Sequence, residues 1–60
     1  MTELKTRQNG YGRMEFTATL EANEMALTDE QIIDKAVGYN YGGQVYRGTD
    51  GTVSGYGYID

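Results

Sequence analysis

The sequence predicts an α+β domain of order ββαββ, one helix packed on one face of a four-stranded, mostly antiparallel sheet, and three observations predict it. Residues 14 to 21 alternate strictly between apolar and polar, the pattern of a half-buried strand. Thr28-Asp29-Glu30-Gln31 is a capping box set ahead of an apolar stripe with helical spacing. Asn9-Gly10 and Thr49-Asp50-Gly51 are turn sequences, each flanked by stretches that alternate. Sixty residues make these elements one domain.

The first strand, Glu3 to Gln8, alternates weakly around Leu4 and Thr6. A two-residue Asn9-Gly10 turn sets Leu4 opposite Glu15, whereas a three-residue loop sets it opposite Phe16, and the hydrophobic pattern favours the second register. In the next strand Met14, Phe16, Ala18 and Leu20 form one face and Glu15, Thr17, Thr19 and Glu21 the other. The helix is predicted over 29 to 37. Leu27 staples against Ile32; Ile32, Ile33, Ala36 and Val37 form the stripe; Lys35 suits the last turn, and Gly38 supplies a left-handed stop. After a loop at 39 to 43 comes a second hairpin, with strands near 44 to 48 and 52 to 59. A two-residue Asp50-Gly51 turn would mix both of its faces. A three-residue loop with Gly51 as a bulge residue puts Val45, Val53 and Ile59 on one face with Gly55 and Gly57, and Tyr46, Ser54, Tyr56 and Tyr58 on the other. That register is preferred because it separates apolar from polar, and the two strand glycines then let the helix approach. The predicted core is Leu4, Met14, Phe16, Ala18, Leu20, Ile32, Ile33, Ala36, Val37, Val45, Val53 and Ile59, centred on Phe16.

This element order and spacing resembles the β-grasp layout of the small immunoglobulin-binding domains of streptococcal surface proteins. The resemblance covers most of the chain as architecture. It rests on no shared motif, so no binding residue or activity is carried over from it.

A chain this short buries only about 60% of the surface its unfolded form exposes. With no Cys and no His it has neither a disulfide nor a zinc site to compensate, which makes association with a partner subunit a natural recourse. Leu, Ile, Val and Phe are scarce, and six tyrosines supply buried area in their place. The start, MTELKTRQNG, has no apolar stretch, and no apolar run approaches the roughly 20 residues that span a bilayer. Together with the absence of Cys, this predicts a cytoplasmic protein with no membrane association.

Catalytic chemistry is not expected. No His or Cys is present, and the remaining nucleophile candidates have no base beside them that works at neutral pH. Glu30 and Asp34 are two monodentate carboxylates, short of the six to eight oxygens calcium takes. Gly42-Gly43 follows the helix instead of opening it, and Gly55-Tyr56-Gly57 is an incomplete dinucleotide fingerprint. No catalytic residue, cofactor or metal is therefore assigned.

Charge and tyrosine placement point to binding. Residues 14 to 34 carry Glu15, Glu21, Glu24, Asp29, Glu30 and Asp34 and no base, within a net charge of −4. Glu30 and Asp34 repel at i and i+4, at a cost of about 0.2 to 0.5 kcal/mol. These six acids, with Tyr46, Tyr56 and Tyr58 on the sheet face opposite the helix, are the candidate partner-binding residues. Tyrosine brings large amphipathic area at low rotamer cost. The leading expectation is a small acidic inhibitor or other protein-binding module docking on a basic partner, for instance a nucleic-acid-binding protein. Phage and mobile-element anti-CRISPR proteins are comparable in size and charge. A homodimer with tyrosine faces covering each other is the first alternative. Single-strand nucleic-acid binding by tyrosine stacking is the second, with only Arg47, Arg13, Lys5 and Arg7 to support it, and direct nucleic-acid binding is not expected.

Overall fold

The computed structural model describes residues 1–9, 12–38 and 42–58. Its elements are β1 (Thr2–Gln8), β2 (Arg13–Thr19), a short 3-10 turn at Ala22–Glu24, α1 (Asp29–Val37), β3 (Gly43–Arg47) and β4 (Thr52–Tyr58). The sheet order is β1-β2-β4-β3 and every adjacent pair is antiparallel. β2 and β3 therefore run the same way with β4 inserted between them, and α1 is the crossover that joins them. The central pair, β2 with β4, is antiparallel, whereas a β-grasp layout has a parallel pair at its centre. The likeness is one of element order, and the sheet is wholly rather than mostly antiparallel.

Local chemistry accounts for the helix limits. The Thr28 side chain accepts the Gln31 N–H at 3.2 Å while the Gln31 side chain accepts the Thr28 N–H at 2.9 Å, so the capping box closes in both directions. At the other end Gly38 is left-handed, and its N–H bonds Asp34 O at 2.8 Å. Ile32, Ile33 and Ala36 turn inward onto the sheet. Arg47, on the same inner face at the end of β3, reaches Leu27 O at 2.9 Å and Asp29 Oδ1 at 2.7 Å and ties the helix start to that strand.

The second hairpin has the register expected of a three-residue loop. Val45 pairs Gly55, Tyr46 pairs Ser54, the Gly48 N–H bonds Thr52 O at 2.7 Å, and Gly51 has φ +89°, where a side chain would be strained. Asp50 accepts bonds from the Thr52 hydroxyl at 2.7 Å and its N–H at 3.2 Å, and these hold its carboxyl below the usual range. Gly57 makes the close approach to the helix: a Cβ there would lie 2.6 Å from Ile33 Cγ2 and 2.9 Å from Val37 Cγ2. Gly55 has a different cause. A Cβ at that position would fall on the Gln44 carbonyl of the neighbouring strand rather than on the helix.

The first hairpin departs from both registers considered above. Thr6 pairs Phe16, Gln8 pairs Met14 and the Asn9 N–H bonds Arg13 O, so the chain reverses further along than Asn9-Gly10 indicates. An irregularity between Thr2 and Lys5, with Glu3 at φ 54°, then shifts the register back by one. Leu4 falls at this bulge on an edge strand and is 42% exposed, outside the core where it was expected. Met1 packs against the core instead. The buried cluster is Phe16, Ala18, Leu20, Ile32, Ile33, Ala36, Val45 and Val53; Val37 is partly buried against it, and Met14 is half-buried. Ile59, also expected in the core, lies outside the described residues, as do Tyr11, Tyr39 and Tyr41. No described helix is long and apolar enough to cross a membrane.

Candidate functional site

With Phe16, Ala18, Val45 and Val53 turned to the helix, the alternate residues of each strand point to the uncovered side of the sheet. The register aligns them in rows across the strands. One row is Lys5, Thr17, Ser54 and Tyr46; the next is Arg7, Glu15, Tyr56 and Gln44; Arg13 with Tyr58 makes a third, and Thr19 with Thr52 lies at the other end. In the Lys5 row the inner-strand side chains, Thr17 and Ser54, are short and the edge ones long, whereas Glu15 and Tyr56 fill the middle of the Arg7 row. The result is a trough with a hydroxyl floor of Thr17, Thr19, Thr52 and Ser54, Lys5 and Arg7 along one wall and Tyr46 on the other. Two shallow depressions of about 540 and 420 Å³ follow it, sharing Lys5, Thr17, Tyr46 and Ser54.

One end of the trough is closed by an aromatic and cationic stack. Tyr56 and Tyr58 meet edge to face, with centroids 5.7 Å apart at 78°. The Arg13 guanidinium lies 4.7 Å from the Tyr56 ring centre and 3.8 Å from Glu15 Oε2. Tyr46 is 55% exposed and Tyr58 41%, while Tyr56 is half-buried beneath Arg13. The Tyr46 hydroxyl donates to Gln44 Oε1 at 3.3 Å, across one strand position. The edge-to-face and cation–π contacts restrict the rotamers of Tyr56 and Tyr58.

The six candidate acids are not one surface. Glu15 lies on the trough side with Arg13. Asp29 is tied to Arg47 at 2.7 Å. Glu24 is only 6% exposed: its two oxygens lie 2.6 and 2.7 Å from the Met1 amino group, one accepts the Glu21 N–H at 2.9 Å, and Lys35 Nζ stands 3.7 Å away. Glu21 stays exposed, 3.6 Å from the same amino group. Only Glu30 and Asp34, on the outer face of α1, have no ion-pair partner among the described residues. The acidic surface is therefore narrower than the sequence run suggests, because folding places four of the six acids in internal pairs.

Glu24 carries a pH dependence. The Glu21 N–H bond, followed by the Met1 amino group, holds its carboxyl below the usual range, against an opposing contribution from burial. A depressed carboxylate contributes stability that is present above its unfolded value and is lost as pH falls through the lower folded one. Thermal melts from neutral pH down through the carboxylate range should therefore show an acid-labile component that Glu24→Gln removes. A Glu24→Gln protein with the parent's full acid sensitivity would assign that component elsewhere.

Three of the five cations, Lys5, Arg7 and Arg13, share the tyrosine face, a grouping the sequence reading did not assign when it counted them, with Arg47, as scant support for a nucleic-acid surface. The signal was present: with Leu4 and Thr6 turned inward, alternation alone sends Lys5 and Arg7 to the side of Thr17 and Tyr46. No cluster of acids among the described residues is suited to a metal ion. No protein-family model, curated protein or solved structure matches the chain.

Proposed function

We propose that this protein is a non-enzymatic protein-binding module that docks through the open face of its sheet. The observation that carries the reading is the gathering of Tyr46, Tyr56 and Tyr58 on one uncovered, trough-shaped surface, with Tyr46 55% exposed and Tyr58 41%. Aromatic anchors of this kind, bordered by charge, are the residues on which binding energy concentrates. The outward carboxylates Glu21, Glu30 and Asp34, in a chain of net charge −4, add a field that favours basic partners. Inhibition of a cytoplasmic nucleic-acid-binding protein, in the manner of phage or mobile-element anti-CRISPR proteins, suits that field. A second reading, direct binding of single-stranded nucleic acid, is favoured by Lys5, Arg7 and Arg13 lying beside the tyrosines and opposed by the overall negative charge.

Capture of the partner from the native host, identification by mass and titration of the purified partner test this. The pair Tyr46→Ser and Tyr58→Ser should weaken binding by about 10- to 100-fold, mainly through faster dissociation. The pair Glu30→Lys and Asp34→Lys should slow association and reduce its salt dependence. Unchanged affinity in the tyrosine variant removes the reading.

A further inference from the structure

We propose that the trough receives the acidic outer face of α1 from a second copy of this chain, so that copies associate head to tail. The inference rests on the sheet face being a protein-docking surface and names the occupant. Among the described residues, Lys5 and Arg7 on the trough wall have no ion-pair partner, and neither do Glu30 and Asp34 on the helix. The spacings match. Residues i and i+2 of a strand stand about 6.8 Å apart, and residues i and i+4 of a helix about 5 to 6 Å. One cation pair can thus meet one carboxylate pair, an attraction that must outweigh the repulsion from Glu3 and Glu15, which line the same trough.

Shape agrees with charge. The trough lies between β1 and β3, three strand spacings or about 14 Å apart, and a helix with its side chains is about 10 to 12 Å across. The outer face of α1 is convex and polar, with Glu30, Gln31 and Asp34 exposed, and the hydroxyls of Thr17 and Ser54 are donors suited to it. A second copy also answers a need of the fold. Eight described apolar side chains make the buried core, and all seven residues of β1 are exposed, so a covered sheet adds burial that the single chain lacks. Because trough and helix lie on opposite sides of the two-layer domain, the contact is heterologous, and each added copy leaves both surface types free at the ends of the stack.

Sedimentation velocity on the full chain at low salt, from micromolar to millimolar concentration, tests this. The average mass should rise with concentration without stopping at two copies, and salt at several times physiological strength should weaken association about tenfold or more. The Lys5→Glu, Arg7→Glu variant and the Glu30→Lys, Asp34→Lys variant should each remain monomeric while keeping the parent's circular dichroism. Mixed together they should associate, because each surface then meets its opposite. Association of the wild type without rescue in the mixture would place the contact elsewhere and overturn the proposal. A wild type that stays monomeric also overturns it, and if the tyrosine variant still loses the host partner, the docking reading stands without it. A monomer that binds a short oligothymidylate through Lys5 and Arg7 overturns both.

Discussion

Replacing Phe16 with alanine is expected to cost about 3 to 5 kcal/mol, the range for deleting a buried aromatic ring. Phe16 is 2% exposed, and its row across the sheet runs Thr6, Phe16, Gly55, Val45, so its neighbour on β4 contributes no side chain. On the β4 side Gly55 has no side chain to collapse into that space, and on the β1 side Thr6 is short and polar. For sixty residues a total stability of about 3 to 9 kcal/mol follows from typical per-residue values. The variant should therefore be largely unfolded, or nearly so, at room temperature. Urea titration followed by circular dichroism decides the matter, and a midpoint close to the parent's would mean that β2 does not present this face to the helix.

Gly57→Val is the second large effect, expected at about 1 to 3 kcal/mol as an overpacking cost. The added Cβ would sit 2.6 Å from Ile33 Cγ2 and 2.9 Å from Val37 Cγ2, and both are branch methyls fixed close to the helix backbone. Relief requires α1 to lift from the sheet or β4 to move away. Ser54→Ala, on the opposite face of the same strand, serves as the control and should stay within about 0.5 kcal/mol of the parent. If Gly57→Val melts with the control, the helix does not rest where the structure places it.

The parts of this fold that could be read in advance are those specified by neighbours in sequence. The helix limits follow from Thr28, Gln31 and Gly38, whose bonds are local. The second hairpin follows from Asp50 and Gly51, because only one loop length segregates Val45 and Val53 from Tyr46 and Tyr56. The first hairpin was misread because Asn9-Gly10 is a strong local turn signal while the observed register pairs Gln8 with Met14, and because Leu4 was the only apolar residue available to set the register. A bulge at Glu3 and the packing of Met1 leave no local trace. The tyrosine face was legible from alternation, and its cations were legible by the same rule. The fate of the acids was not: the pairing of Glu24 with an amino group 23 positions away, or of Asp29 with Arg47, is a property of the folded chain. With the pairing of Glu15 to Arg13 and of Glu21 to the same amino group, they leave Glu30 and Asp34 as the two of the six without an ion-pair partner among the described residues.

The exposure of all seven β1 residues separates what this strand contributes to the fold from what the proposed docking would ask of it. A strand with no buried side chain, hydrogen-bonded along one edge, opens with a lower free energy than the core, so its amide protons should exchange well ahead of those in β2, β4 and α1. The same independence governs change by mutation. Substitutions at Lys5 or Arg7 remove no core contact, so the charge along one wall of the trough can be rewritten one residue at a time while the folded population stays nearly constant. If the sheet face docks a partner as proposed, partner preference would be carried on a strand whose substitution leaves the core intact, and it could change without passing through an unfolded intermediate sequence.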